Sequence, residues 1–205
     1  KVIVINPARG GSNYGVEANG VKESEITYDI ATRVEGRLLA LGASVFLTRG
    51  PQNDPTEFER INLTNSTNAD LMISLNCDGY KNEKAHGVAT YSYGSDAHGV
   101  HSVVGDRFAS LVQREICART DLQDCGTHSK TWDLLRLVAA PAVRIDLGYL
   151  TNPGDAKRYS GAEFRDLIAE SLVIAIQRLY LAAEDDAKTG TLRISDLKRA
   201  GLRIN

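Results

Sequence analysis

Short aliphatic runs that alternate with stretches of three- and four-residue apolar spacing leave few folds open to this chain. Residues 2–5, Val-Ile-Val-Ile, form a β-branched run halted at Asn6-Pro7, the pattern of a fully buried strand stopped by a proline. Ile26, Ile30, Val34, Leu38 and Leu41 then recur at helical steps up to a glycine stop at Gly42. Further strands are expected at 43–48, 70–75, 87–93, 134–137 and 142–147, with Tyr91 and Tyr93 on one face. Helices are expected at 55–68, at 103–116 through Phe108, Leu111, Val112 and Ile116, and at 162–181. Strands in alternation with helices predict a three-layer α/β domain, a mostly parallel twisted sheet flanked by helices. That domain is expected over residues 1–183. Past it the composition shifts to Glu184-Asp185-Asp186, then Thr189-Gly190-Thr191, then a basic segment, which predicts a surface tail or short docking helix over 184–205.

Composition narrows the function classes. With 205 residues and 42% apolar content the chain can bury one sizeable core. Its 24 Lys plus Arg against 26 Asp plus Glu give a net charge of −2, without the basic excess of a nucleic-acid binder. The longest apolar stretch, 134–143, is broken by Arg136 and Pro141, so no membrane span is expected. The chain starts at Lys1 and enters a strand at once, so either a boundary of this sequence or an upstream cut is expected to have removed any targeting segment, and the N-terminus does not report localisation. Cys77, Cys117 and Cys125 are an odd set with no CxxC pair, against both a disulfide framework and a zinc knuckle. Pairing of Cys117 with Cys125 is expected only in an oxidising compartment.

The segment Asn6-Pro7-Ala8-Arg9-Gly10-Gly11-Ser12 reads either as a backbone nest for an anion or as a tight turn. It lacks the lysine and Ser/Thr that end a Walker loop, and the chain has no GxGxxG, so nucleotide binding is not expected. His98 and His101 are three residues apart, but they sit in a stretch that reads as polar loop. They, His86 and His128 are assigned surface or capping roles and no metal.

Four separated segments resemble the zinc-dependent N-acetylmuramoyl-L-alanine amidases, which cleave peptidoglycan. Val2-Ile3-Val4-Ile5-Asn6-Pro7-Ala8-Arg9-Gly10-Gly11 is similar to that family's strand followed by Asp-Pro-Gly-His-Gly-Gly. Glu23-Ser24-Glu25-Ile26 resembles its Glu-Lys-Asp helix opening, and Ser74-Leu75-Asn76-Cys77-Asp78 its Ser-Ile-His-Ala-Asn. Pro141-Ala142-Val143-Arg144-Ile145-Asp146-Leu147-Gly148-Tyr149-Leu150-Thr151-Asn152 resembles Pro-Ala-Val-Leu-Val-Glu-Leu-Gly-Phe-Leu-Ser-Asn. The likeness spans residues 1 to about 180 and implies a zinc-amidase-like α/β fold.

In that family the first and third segments each supply a zinc-ligating histidine, the second a ligating glutamate and the fourth a catalytic glutamate. Here those places hold Arg9, Glu23, Asn76 and Asp146. Catalytic zinc takes three protein ligands from imidazole, thiolate and carboxylate, and Arg9 has no lone pair to donate. At about 4 Å and an effective dielectric of about 20 each pair of unit charges repels by roughly 4 kcal/mol, so a dication beside Arg9 meets roughly twice that. Structural zinc sites gain only about 10 to 16 kcal/mol. The expectation is a vestigial pocket without zinc or other cofactor, and a chain that is not an enzyme. Arg9 is expected to pair with Glu23, Asp146 or both. A regular strand would put Arg144 on the face of Asp146.

Three readings of function stand: a regulator of peptidoglycan precursor synthesis working through protein contacts, a non-cleaving peptidoglycan binder, and a zinc-dependent amidase. The particular substitutions and the tail resemble a regulatory, zinc-site-degenerate member of the family. That resemblance implies a cytoplasmic protein, with the cell envelope as alternative. It also implies a protein partner, such as an early precursor enzyme, and control by a Ser/Thr kinase. Thr189 and Thr191 are the candidate phosphorylation sites.

Overall fold

A computed structural model describes residues 1–181 together with Asp186 and Thr189. Strand β1 (Val2–Pro7) leads through a short hairpin, β2 (Glu17–Ala18) and β3 (Val21–Lys22), into helix α1 (Glu23–Ala40). Then come β4 (Ser44–Leu47), α2 (Glu57–Ser66), β5 (Leu71–Asp78) and β6 (Val88–Ser95). A single 3-10 turn (Asp96–His98) and β7 (Val100–His101) precede α3 (Val103–Arg119). The chain continues with β8 (Asp124–Lys130), α4 (Asp133–Leu137), β9 (Ala142–Tyr149), α5 (Pro153–Ser160) and α6 (Ala162–Leu179).

The main sheet runs β4-β1-β5-β9-β6-β7, with β8 also on β6. Pairs β4/β1, β1/β5, β5/β9 and β6/β8 are parallel, while β6 meets β9 and β7 antiparallel. The period of two along each strand divides the core. Ile3, Ile5, Ile73, Leu75, Val143 and Ile145 pack with residues of α1, α3 and α6 on one face. On the other, Val4, Met72 and Ala142 meet Ile61 of α2 and Leu134, Leu135 and Val138 in and beside α4. Each Val, Leu, Ile or Met among them, fully buried, contributes about 1.5–3 kcal/mol. The expected three-layer α/β class is the one found.

One local expectation is corrected, and one strand goes unpredicted. Residues 134–137 form part of helix α4, not a strand, because Leu134 and Leu135 are adjacent buried residues that a strand would send to opposite faces. Strand β8 had no prediction, since its largely exposed residues carry no apolar alternation. The cysteines are all free. Among the described residues no helix is long and apolar enough to cross a membrane. The expected tail over 184–205 lies outside the described residues apart from Asp186 and Thr189.

Helix α2 starts with a capping box: Thr56 accepts from the Glu59 N–H, and the Glu59 carboxylate accepts from the Thr56 N–H at 2.7 Å. The Thr56 N–H and the Thr56 hydroxyl both donate to the Glu59 carboxylate and hold its pKa below the ordinary value. Thr56→Ala is expected to lower stability by about 1 kcal/mol in urea unfolding, as loss of such caps does elsewhere. A variant as stable as the parent would show that the box is not formed in solution.

Candidate functional site

The site lies toward the carboxyl ends of the parallel strands, on the sheet face that carries α2 and α4, the place open α/β sheets use for ligands. Strand register fixes its floor. Asn6, Ser74 and Arg144 are aligned across β1, β5 and β9, and Asn76 stands beside Asp146. These positions follow Val4, Met72 and Ala142 by two residues, or by four for Asn76 and Asp146, and so share their face. Polar side chains appear where the apolar row ends. They bond one another: Asn6 Nδ2 donates to Ser74 Oγ at 2.9 Å, and Ser74 Oγ donates to Asn76 Oδ1 at 2.9 Å.

Above the floor opens a cleft of about 750 Å3, lined among others by Arg9, Asn76, Trp132 and Arg144. That size suits a small-molecule or peptide ligand. Its loop wall follows β1, and two buried arginines hold it. Arg60 of α2 donates from Nη1 to Asn6 Oδ1 and the Pro7 carbonyl, each at 2.8 Å, and from Nη2 to the Arg9 carbonyl at 2.9 Å. Arg49, after β4, donates to the carbonyls of Pro7, Ala8 and Ser24. Burial lowers its pKa to about 10, so it remains a cation at neutral pH. Within this loop Arg9 takes a left-handed backbone, φ 63°, unusual for a side chain of its size. The Gly10 N–H bonds the Asn13 carbonyl, as a tight turn requires, rather than standing ready for an anion.

Glu23 is fully buried at the first position of α1. Its Oε2 accepts from Arg9 Nε at 3.2 Å and the Val16 N–H at 3.1 Å, and its Oε1 from the Cys77 N–H at 3.1 Å. The expected pairing of Arg9 thus goes to Glu23 and not to Asp146. Asp146 takes Arg144 instead, Nε to Oδ1 at 2.7 Å, and the two side chains do share a face. Burial raises the Asp146 pKa above the ordinary carboxylate value, with Arg144 opposing. The Arg144 guanidinium lies 4.8 Å from the Trp132 ring centroid, and Trp132 stacks in turn on Tyr91 at 4.8 Å. Tyr91 is pushed up to about 12, chiefly by burial, and keeps its proton.

The structure therefore gathers Arg9 and Glu23 on one side and Asn76, Arg144 and Asp146 on the floor. The histidines stay outside. His98 bonds Ser95, His86 the Lys84 carbonyl and His128 the Cys125 carbonyl, while His101 ends β7. Sequence reasoning missed Arg49, Arg60 and Trp132. For Arg60 a signal existed: it shares a buried helix face with Ile61 and Thr64.

The donor set does not fit zinc. Arg9 offers no lone pair, and Asn76 Oδ1 is a neutral oxygen already accepting from Ser74. Both Glu23 oxygens are taken by N–H groups, and Asp146 is held by a cation. Among the described residues no group of three or more His, Cys, Asp and Glu could hold a metal ion.

The profile of the family described as N-acetylmuramoyl-L-alanine amidase matches residues 3–178. The chain is 42% identical over 201 residues to the N-acetylmuramoyl-L-alanine amidase CwlM of Mycobacterium tuberculosis, covering 96% of this chain and 49% of that protein. It thus spans about half the length of that relative. Among solved structures, the amidase AmiC2 of Nostoc punctiforme superposes with a TM-score of 0.78 at 24% identity, over 85% of this chain and 94% of that one. The CwlD amidase of Clostridioides difficile, solved in complex with the GerS lipoprotein, also gives 0.78, at 20% identity over 87% and 98% of the two chains. These two likenesses show the fold. The expectation that the chain is not an enzyme is overturned by the family match and by the amidase name of the 42% identical relative. The row of segments set along β1, α1, β5 and β9, together with that match over most of the chain, makes it a member of the N-acetylmuramoyl-L-alanine amidase family.

Proposed function

We propose that the chain serves peptidoglycan metabolism through its cleft, which takes a muramoyl-linked stem peptide. The observation that carries this reading is the family match over residues 3–178. The cleft supports it physically: part-exposed Trp132 adds apolar surface to its wall, and Asn76 and Arg144 offer polar groups to a peptide. The finer part of the proposal is a cytoplasmic role, regulating precursor synthesis through protein contacts under threonine phosphorylation. What supports the phosphorylation step is the setting of Thr189. Its hydroxyl donates to Glu115 at 3.4 Å, so a phosphate there would replace that bond with like-charge repulsion of the carboxylate and redistribute the arginines Arg114, Arg119 and Arg178 that surround it. Thr191 lies outside the described residues.

Hydrolysis of the muramoyl amide, the activity in the relatives' names, is a second reading. It is favoured by Asp146, a buried carboxyl beside the cleft-lining Asn76 in the strand register, a kind of group that can transfer a proton. One experiment tests both. Muropeptides are titrated into the chain, then incubated with it with and without added zinc while new N-terminal alanine amines are followed by mass spectrometry. Saturable binding is expected, and new amines would establish the second reading. Absence of both would refute the proposal. Zinc is expected to leave the melting temperature unchanged, since the four positions do not suit it; a rise of several degrees would show the donor set misjudged.

A further inference from the structure

Two guanidiniums flank the cleft in matched surroundings. Arg9 and Arg144 each direct Nε to a carboxylate that is itself buried, Glu23 at 3.2 Å and Asp146 at 2.7 Å. Among the described residues neither guanidinium makes another hydrogen bond, so the Nη groups of both retain their donors. Both side chains line the same cleft and are open to it, at 48% and 31% exposure. Of the carboxylates that line the cleft, Asp54 is paired with Arg60 and Asp133 with Arg136, while Glu57 at the start of α2 is exposed to solvent.

An arginine whose Nε is fixed loses less freedom when its Nη groups bind. Trp132, behind Arg144, adds a second restraint. Planar N–H groups of this kind match the two oxygens of a carboxylate or phosphate. The structure assigns Arg9 and Arg144 to an oxyanion receptor that recognises the charged groups of the ligand in this cleft. The assignment rests on the muramoyl-peptide reading and deepens it. The ligand class is a peptidoglycan fragment or precursor bearing oxyanions, its stem-peptide carboxylates or a diphosphate.

The test is calorimetric titration of the intact chain with three probes: a muramoyl dipeptide with free carboxylates, the same compound as its amides, and inorganic diphosphate. The carboxylate form should bind at least about tenfold more tightly than the amide form. Arg144→Gln combined with Asp146→Asn removes a cation together with its counter-charge and should weaken that binding by about 10- to 100-fold, as should Arg9→Gln. Arg144→Lys, which keeps the charge and loses the paired donors, provides a second variant if the double one fails to fold, and should also lose affinity. Displacement of the peptide by diphosphate would identify phosphoryl oxygens as a further source of the same chemistry.

Equal affinity for carboxylate and amide forms, or folded variants that bind as the parent does, would overturn the receptor and leave the muramoyl reading intact. If no muramoyl compound binds, the muramoyl reading falls. Diphosphate binding that is lost in the variants would then still support the receptor, and its absence would overturn both.

Discussion

Arg60→Leu is expected to lower the unfolding free energy by about 3–5 kcal/mol, the loss typical of removing one partner from a buried charged network. Arg60 is 5% exposed, and its guanidinium is the meeting point of β1, the loop after it and the start of α2. Leucine would fill part of the volume and make none of the bonds. Some partners are covered twice: the Pro7 carbonyl keeps Arg49 Nε at 3.0 Å, and Asn6 Oδ1 keeps the Thr48 hydroxyl at 2.6 Å. The Arg9 and Pro55 carbonyls have no such second donor among the described residues, and Asp54 loses its cation. These acceptors are only part-buried, so water can replace some of what is lost, and each costs at most about 1–3 kcal/mol when left unpaired.

The consequence extends to the cleft. The bond to the Arg9 carbonyl is one of the contacts that hold this residue in its left-handed backbone, a conformation costing on the order of 1–3 kcal/mol that must be imposed from outside. Without it Arg9 should relax and leave Glu23, so muropeptide affinity should fall together with stability. Arg60→Lys keeps a charge but reaches only some of the same acceptors, and should recover part of the loss. Urea unfolding of both variants checks this. An Arg60→Leu variant within about 1 kcal/mol of the parent would mean that the loop holds itself.

How much of this was legible beforehand depends on which periodicity each residue obeyed. Ile26, Ile30, Val34 and Leu38 repeat on one buried helix face, so α1 could be read directly. The shared face of Arg144 and Asp146 followed from the same rule at period two. Leu134-Leu135-Arg136-Leu137 was misread because an apolar run of four fits a buried strand or a short helix equally, and only packing against Val4 and Met72 decides. Strand β8 gave no signal because it borders β6 with mostly exposed polar side chains. Arg49 was illegible for a different reason, and for Arg60 the helix period marks only its buried face, not its partners. Charge marks a residue for the surface, and nothing local in the sequence shows that the backbone carbonyls of residues 7–9 will converge on both.

Gly15→Ala should be nearly as damaging, with a loss of roughly 2–5 kcal/mol from a single methyl group. Gly15 has φ +67°, and a Cβ placed there would stand 2.1 Å from Glu23 Oε2 and 2.6 Å from Arg9 Cγ. Neither neighbour can withdraw freely. Glu23 is fully buried, and its oxygens hold the N–H groups of Val16 and Cys77 as well as Arg9, so moving it aside breaks several bonds at once. Gly20 supplies the control, because it also has positive φ, +78°, but nothing lies within 4 Å of its virtual Cβ. Gly20→Ala should therefore show the backbone strain alone, about 1–2 kcal/mol. The difference between the two variants measures the crowding around the Arg9–Glu23 pair, and muropeptide affinity should fall only in Gly15→Ala. Equal losses of stability, with binding kept in both, would mean that the pair can shift to admit a methyl group and that its placement does not govern the cleft.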